Sequence, residues 1–397
     1  MEDLKSLINQ MCPSGMPKMS IGSVIKRIRT RGKEQPDVEQ VYVVSNIQGM
    51  VRAEEYRENT IHSEDTSNYT VISPGMFAYN PSRLNVGSIA MLRNNEPGLV
   101  SPMYVVFGIN EDLILGEYMD LCLKSNYVRN KIESLKEEGA RFRFDFQRWD
   151  MIYVSVPPIP VQEEIVRALS CFSDAITTLE LELSLREKQY CYYRDYLLQN
   201  TTAEKVCVVD VCDDIFLGLT NKVDYVNEDG IPLVRATNMT SGKLYFNDVK
   251  YISYDQHRKL TKIHKARKGD VLVSKSGTLG AVCIVDTDRE FSIYESLICL
   301  HPNKTIYNRY LMHLLRSSKV QDEMLEKKVG NEIKHLNLQT FRKLFVPLPT
   351  MKEQIEISNI LDEFEELCCD LERGLPAEIN LRKRQYEYYR DRLLTIN

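Results

Sequence analysis

Two clusters of basic side chains are the features of this sequence best suited to bind a ligand. Five basic residues fall between Lys26 and Lys33, and a longer basic stretch runs from His257 to Lys268. Phosphate binding needs only positive charge and backbone amides, whereas recognition of base edges needs polar side chains on loops or helix ends. A solvated basic surface explains such clusters equally well, because charge runs are common.

Two further features in the first 155 residues favour contact with nucleic acid. Asn80-Pro81-Ser82-Arg83 follows a strand-like run and should therefore lie on a turn. In Arg141-Phe142-Arg143-Phe144, strict alternation would place both arginines on one face and both phenylalanines on the opposite, buried face. The candidates in this part of the chain are Lys26, Arg27, Arg29, Arg31, Asn80, Ser82, Arg83, Arg141 and Arg143.

The second half of the chain offers candidates of the same kind. The basic stretch contains Lys265 and Arg267, for which phosphate contact is the expected role. A turn at residues 275–278 supplies amides and hydroxyls, and a basic segment at residues 327–334 contains a glycine, like the segment around Arg141. The candidates here are Lys265, Arg267, Lys275, Ser276, Thr278, Asn331 and Lys334.

Catalytic and metal-binding motifs are weak by comparison. Asn80-Pro81-Ser82 is similar to the Asn-Pro-Pro-aromatic motif of adenine methyltransferases, but the second proline and the aromatic residue are missing. The turn after Lys275 lacks the Gly-Lys-Ser/Thr ending of a phosphate-binding loop. No Cys-x-x-Cys pair or catalytic constellation has suitable spacing. We therefore expect neither catalytic residues nor a metal site in this chain.

Length and charge suggest several domains with different tasks. The 397 residues suffice for two or three domains, and the net charge is −5. Residues 156–200 and 346–397 carry net charges of −3 and −4, whereas residues 1–155 carry −2 and residues 201–345 carry +4. No signal peptide or membrane-spanning run is evident, so a cytoplasmic protein with reduced cysteines is expected.

An internal repeat sets the architecture. Residues 189–198 and 385–394 are identical at eight of ten positions, at an offset of 196. Four weaker matches follow in the same order at offsets of 192 to 194, among them Tyr118 with Tyr310 and Gly75 with Gly269. Five ordered matches indicate a tandem duplication.

Each repeat begins with about 150 residues of short strands and turns and ends in a long apolar heptad pattern. The predicted class is α+β: two similar domains, residues 1–155 and 201–345, joined by long helices at 156–200 and 346–397. Two seams in one chain favour an antiparallel coiled coil, although a lone seam is more often a core helix. Gly374 and Pro376 predict a break in the second helix.

Several segments resemble one family, the specificity subunits of type I restriction–modification systems. Residues 156–165 and 346–355 resemble the proline-rich beginnings of the family's long helices, and the two Gln-Tyr-x-Tyr-Tyr-Arg-Asp segments resemble their C-terminal parts. Residues 268–280 look like the strand-and-turn signature of the target-recognition domains. Residues 77–83 and 231–235 also resemble that domain, which adds Arg235 to the DNA-contact candidates.

The resemblance implies a non-catalytic subunit with two target-recognition domains, each recognising half of an interrupted double-stranded DNA site. Its long helices would set the gap between the two half-sites and dock two modification subunits. A separate motor-nuclease subunit could join them, and the complex would methylate adenine at N6. It implies no cofactor in this chain, because the partners would bind S-adenosylmethionine, Mg²⁺ and ATP. The expected docking residues are Tyr192, Tyr193, Arg194, Tyr388, Tyr389 and Arg390.

Other non-enzyme functions remain open at the level of sequence. A free-standing bipartite DNA-binding regulator would not explain two acidic, tyrosine-rich helices. A coiled-coil scaffold without a DNA role would not explain basic clusters in both halves. The chain could also serve a modification-only or phage-defence system that has no nuclease.

Overall fold

The protein forms two compact units, each of which combines a strand-rich part with segments of long helix. In the computed structural model, unit 1 comprises Met1–Thr178 and Asn380–Asn397, and unit 2 comprises Leu179–Ile379. The structure describes residues 2–46, 48–56, 63, 65–135, 142–218, 223–227, 229–240, 242–276, 279–326, 336–369 and 374–395.

Among the described residues, ten short strands and five α-helices of unit 1 lie before the first long helix. The strands are β1 (Lys18–Ser20), β2 (Ile25–Ile28), β3 (Val41–Ser45), β4 (Gly49–Arg52), β5 (Thr70–Ile72), β6 (Phe77–Tyr79), β7 (Ile89–Met91), β8 (Gly98–Val100), β9 (Val105–Ile109) and β10 (Tyr153–Ser155). The helices are α1 (Glu2–Met11), α2 (Ile21–Val24), α3 (Ala53–Tyr56), α4 (Gly116–Lys124) and α5 (Asn126–Ser134).

In the described part of unit 2 there are a further twelve strands. They are β11 (Lys205–Cys207), β12 (Cys212–Leu217), β13 (Tyr225–Val226), β14 (Ile231–Val234), β15 (Met239–Thr240), β16 (Lys243–Leu244), β17 (Lys250–Ile252), β18 (Val271–Ser274), β19 (Val282–Ile284), β20 (Ser292–Ile293), β21 (Leu297–Pro302) and β22 (Phe345–Pro347). The remaining helices of the chain are α6 (Ile159–Gln199), α7 (Tyr254–Leu260), α8 (Asn308–Arg316), α9 (Ser318–Glu326), α10 (Leu338–Arg342), α11 (Met351–Cys369) and α12 (Leu375–Leu394).

The sheets confirm the duplication. One four-stranded sheet has the order β2-β9-β6-β7 in unit 1 and β12-β21-β18-β19 in unit 2, with antiparallel neighbours throughout. A second sheet contains one parallel pair in each unit, β3 with β8 and β14 with β20. Gly75 and Gly269, which precede β6 and β18, both have positive φ, of 81° and 92°. This left-handed conformation favours glycine, so both repeats keep the same turn.

The long helices pack within both units. In unit 1, Phe172 of α6 contacts Tyr389 of α12, with ring centroids 5.4 Å apart, and the α12 residues Leu393 and Leu394 belong to the main core. In unit 2, the Tyr193 ring of α6 stacks on Phe364 of α11 at 5.6 Å. Residue numbers rise along α6 as they fall along its partners, which is the order of an antiparallel pair.

Two local predictions have different outcomes. The helix of 41 residues runs without interruption from Ile159 to Gln199, whereas its counterpart is divided into α11 and α12, with Gly374 outside both. The alternation predicted around Arg143 does not form a strand: residues 142–145 lie outside any strand, and Phe144 packs against Trp149. In the part of the chain that the structure describes, no helix is long and apolar enough to cross a membrane.

Candidate nucleic-acid interface

Unit 1 has an open cavity of about 660 Å³ that brings together most of the residues proposed for DNA contact in the first domain. The turn after β6 forms one wall, and the segment from Pro102 to Val106 forms another. Seven of the candidates line it: Arg27, Arg29, Arg31, Asn80, Ser82, Arg83 and Arg143. Lys26 lies exposed on β2 outside this lining.

Most of the arginines in this cavity keep their charge available. Among the described residues, Arg27, Arg29 and Arg83 take part in no ion pair. Arg143 lies 3.5 Å from Asp145, and both side chains are more than half exposed, so water and salt screen this pair. Arg31 is held in place, because Nη1 donates to the carbonyl of Asn68 and to the Thr70 hydroxyl.

The turn after β6 is fixed by its own side chains. Oδ1 of Asn80 accepts a hydrogen bond from the Ser82 amide at 2.9 Å, and Nδ2 of Asn80 lies 3.7 Å from Sδ of Met103. The Arg83 amide donates to the Asn80 carbonyl at 3.0 Å. Asn80 therefore shapes the turn, and the neighbouring Ser82 and Arg83 project from it.

Unit 2 has a cavity at the corresponding place, but its chemistry differs. Its volume is about 500 Å³, and it is lined by Lys275 and Ser276 after β18, by Glu295 and by residues 336–338. The correspondence is structural: Phe144 donates its amide to the Pro81 carbonyl in unit 1, and Leu336 donates its amide to the Lys275 carbonyl in unit 2.

Arg235 forms a separate cationic cluster in unit 2. Its guanidinium lies 5.3 Å from the ring of Tyr225 and 5.4 Å from the ring of Tyr294, and Nη2 donates to the Tyr225 hydroxyl at 2.6 Å. Nζ of Lys250 lies 4.7 Å from the centroid of the same Tyr225 ring, and the Tyr225 side chain is half-exposed. Such an arrangement orients the cation and leaves a stacking surface beside it.

Three cations in the basic stretch of unit 2 lie close to acidic side chains. Lys265 pairs with Glu290, Lys268 pairs with Asp288 at 2.7 Å, and Nε of Arg267 lies 3.9 Å from Asp270. The side chains of the Lys265–Glu290 and Lys268–Asp288 pairs are about half exposed or more, so water and salt screen them as they screen the Arg143–Asp145 pair. Four other proposed contacts lie outside the described residues: Arg141, Thr278, Asn331 and Lys334.

The proposed docking residues fall into two classes. Tyr192 and Tyr388 are exposed, at 64% and 58%, whereas Tyr193 and Tyr389 pack against Phe364 and Phe172 in the helix pairs.

The two arginines of this set are buried, so the structure does not support them as docking residues. Arg194 and Arg390 donate to the neighbouring Asp195 and Asp391 at 3.1 and 3.0 Å. Each guanidinium also lies against the ring of a tyrosine one turn earlier.

The two aspartates beside these arginines connect the helix ends to the strand-rich parts. In unit 2, Asp195 accepts a hydrogen bond from the Ser318 amide, at the beginning of α9, at 3.0 Å. In unit 1, Asp391 accepts one from the Asn126 amide, at the beginning of α5, at 3.2 Å. Burial raises the pKa of Asp195, but hydrogen bonds from Arg194 and Ser318 outweigh it and hold the pKa below its usual value.

A repeated glutamine near the beginning of each long helix was not singled out from the sequence. Gln162 is fully buried; its Nε2 donates to the carbonyls of Leu113 and Pro157, and its Oε1 accepts from the Leu115 amide. Gln354 makes the same three bonds with residues 305, 349 and 307, each displaced by 192. The sequence signal for these residues is a glutamine five positions after a proline in both repeats, after Pro157 and after Pro349.

Two groups of side chains in unit 2 have ligand atoms close enough to hold a metal ion. In one, Asp270 accepts from the backbone amide of Arg267 and lies 2.5 Å from Nδ1 of His301, near Cys299. In the other, Asp362 contacts His313 and Arg309, and Glu365 pairs with Arg316. Protein partners already satisfy these carboxylates, so the geometry gives no specific support to a metal site.

Comparisons with known proteins agree with this architecture. Residues 201–381 match the family model described as the type I restriction modification DNA specificity domain. A putative type I restriction enzyme specificity subunit of Haemophilus influenzae is 31% identical over 62% of this chain and 64% of its own length, just under two thirds of that relative.

Two further relatives extend the likeness. A putative type I specificity subunit of Mycoplasma pneumoniae is 30% identical over 64% of this chain and 67% of its own length. The EcoR124I/EcoR124II specificity subunit of Escherichia coli is 28% identical over 68% and 69%.

Among solved structures, a chain from a study of complex assembly and conformational transition of the type I R-M system superposes with a TM-score of 0.63. Its sequence identity is 17%, and the match covers 96% of this chain and 98% of that one. The fold is therefore a tandem α+β duplication with two similar strand-rich domains and long helices. The chain belongs to the family of type I DNA specificity subunits.

Proposed function

We propose that this chain is the DNA-recognition subunit of a type I modification complex and that each unit contacts one half of an interrupted DNA site. The observation that carries the proposal is the unit 1 cavity, where Arg27, Arg29 and Arg83 lie beside the turn at Asn80 and form no ion pair with any residue that the structure describes. An open groove with unpaired arginines and a polar turn suits both phosphate binding and contact with base edges.

The partner proposed for the helices is a modification subunit bound in two copies. Two identical partners need two similar surfaces, and exposed apolar residues recur on the helices: Leu185 and Tyr192 on α6 correspond to Leu381 and Tyr388 on α12. On each helix the leucine and the tyrosine are seven positions apart, so they share a helix face. Adenine methylation, the binding of S-adenosylmethionine, Mg²⁺ and ATP, and any restriction are assigned to partner subunits.

The decisive experiment is base-resolved detection of N6-methyladenine in DNA from cells that produce this chain with its neighbouring modification subunit. A bipartite motif with a fixed gap is expected, and it should vanish from cells that lack this chain. Absence of any motif in both cultures would reject the proposal and direct attention to DNA binding by the chain alone, as a regulator would show.

A charge substitution tests the unit 1 cavity directly. Arg29→Ala should weaken DNA binding by the complex and reduce the slope of log affinity against log salt by about one, because one phosphate contact is lost. Arg129→Ala is the matched control, since Arg129 is exposed on α5 outside the cavity. Equal salt slopes for the two variants would remove Arg29 from the interface.

A further inference from the structure

The cavities of the two units lie at corresponding places but differ in most of their lining. One of these differences is at a corner formed by the residue that precedes the strand β9 or β21 by two positions. That residue is Met103 in unit 1 and Glu295 in unit 2, at the repeat offset of 192. Both line the cavity of their own unit together with the turn after β6 or β18.

Residues that hold the framework are chemically the same in both repeats. Gln162 and Gln354 make equivalent hydrogen bonds, and Tyr118 and Tyr310 donate to carbonyls at positions 155 and 347. A fold that is duplicated to contact two different half-sites must keep such residues and vary those that touch bases. The position of Met103 and Glu295 differs between the repeats, as a base-contacting position would.

In unit 1 the corner is apolar and open. Met103 is 58% exposed, and its sulfur lies 3.7 Å from Nδ2 of Asn80. Oδ1 of Asn80 accepts a hydrogen bond within its turn, so both polar atoms of the Asn80 side chain have contacts inside the protein. Met103 is then the neighbouring side chain that faces the cavity. An apolar side chain in the major groove makes favourable contact with the thymine methyl group.

In unit 2 the corner carries a carboxylate. Glu295 takes part in no ion pair among the residues that the structure describes, although Lys275 lines the same cavity. An unpaired carboxylate facing DNA would be repelled by phosphate unless it accepts a hydrogen bond from a base. The donors available to it in the major groove are the exocyclic amino groups of cytosine and adenine.

We infer that Met103 and Glu295 are equivalent specificity-determining residues, the first contacting a thymine methyl group and the second the amino group of cytosine or adenine. The inference rests on the proposed function, because it assigns bases within the site that each unit contacts. It goes further by naming one structural position that distinguishes the two half-sites.

The test is the methylation motif of variants, determined in cells that also produce the modification subunit. Glu295→Gln retains size but removes charge, and Met103→Gln retains length but removes apolar character. Each should relax or change one base position, with methylation of the original sequence falling on the order of tenfold. The two variants should affect different halves of the motif.

Matched controls separate this effect from general damage. Asp255→Asn neutralises an exposed carboxylate of unit 2 outside the cavity, and Leu113→Gln introduces an amide at an exposed apolar position of unit 1. Both should leave the motif unchanged, as should Met103→Leu, which stays apolar. Thermal unfolding of the variants verifies that each remains folded.

The outcomes distinguish the inference from the proposed function. A bipartite motif that both glutamine variants leave intact, or that both alter in the same half, overturns the inference and leaves the recognition function standing. If the unsubstituted chain directs no motif, the recognition function fails and the inference fails with it.

Discussion

At the scale of single residues, two buried glutamines are repeated with their hydrogen bonds, whereas most side chains proposed for DNA contact differ between the units. Gln162 and Gln354 are fully buried and connect the beginning of a long helix to a loop and to the preceding proline-rich segment. Removing such an amide leaves buried backbone groups without partners, which costs more than the hydrogen bonds contribute on average.

Replacement of either glutamine by alanine should therefore destabilise the protein by about 3 kcal/mol, since three buried bonds are lost at once. Gln147→Ala and Gln199→Ala are suitable controls in the two units, because both side chains are exposed. Denaturant unfolding measures the difference. A loss under 1 kcal/mol would show that water or a neighbour can replace the amide.

At this scale local turns are predictable from the sequence, whereas the partners of charged side chains are not. The turn at Asn80 was predicted from Pro81 and its neighbours, and the cavity includes it. The basic stretch near Lys265 looked equally promising, but its partner Glu290 is 25 positions away and only the fold brings them together. Burial of Arg194 likewise depends on contacts with Ser318, which is 124 positions distant.

At the scale of elements, a carboxylate from a long helix caps a short helix in each unit. Asp195 accepts from the first amide of α9 and Asp391 from the first amide of α5, so each negative charge lies at the positive end of a helix dipole. The short helices are thereby tied to the end of the long ones.

Loss of either cap should lower the free energy of unfolding by about 1 kcal/mol. The variants are Asp195→Ala for unit 2 and Asp391→Ala for unit 1, with Asp174→Ala as a control on an exposed position of α6. Hydrogen exchange should show the added opening at α9 for the first variant and at α5 for the second. The same loss of protection in both helices from a single variant would contradict the assignment.

The lowered pKa of Asp195 also predicts a pH dependence. The folded state favours the ionised carboxyl, so its contribution to stability is complete above the unfolded pKa of about 4 and disappears as pH falls through the folded value. Unfolding of the wild type and of Asp195→Asn should differ most at neutral pH and converge towards pH 3. A constant difference across that range would exclude the ionised form as the cause.

At the scale of the whole molecule, the duplication and the helix were predictable, and the grouping of the units was not. Heptad spacing and the absence of glycine after residue 160 predicted a long helix within residues 156–200, and α6 spans Ile159–Gln199. Nothing in the local pattern indicates that Asn380–Asn397 completes unit 1, because that association depends on packing between segments distant in sequence.

The shared helix predicts how the gap in the DNA site can be changed. Seven residues inserted after Leu185 lengthen α6 by about 10 Å and preserve its heptad face. The gap in the methylated motif should widen by about three base pairs, with both half-sites unchanged. The same insertion after Asp286, in a loop of unit 2, should leave the gap as it is. An unchanged gap in the first variant would exclude α6 as the spacer.

The composition of unit 1 has a consequence for the order of events during synthesis. Leu393 and Leu394 belong to its main core, yet the ribosome adds them only after all of unit 2. Until α12 is synthesised, part of the unit 1 core stays exposed. Unit 2 is continuous in sequence and can complete its core earlier. During synthesis unit 2 should therefore complete its folding before unit 1, and the N-terminal residues of unit 1 should depend longest on chaperones.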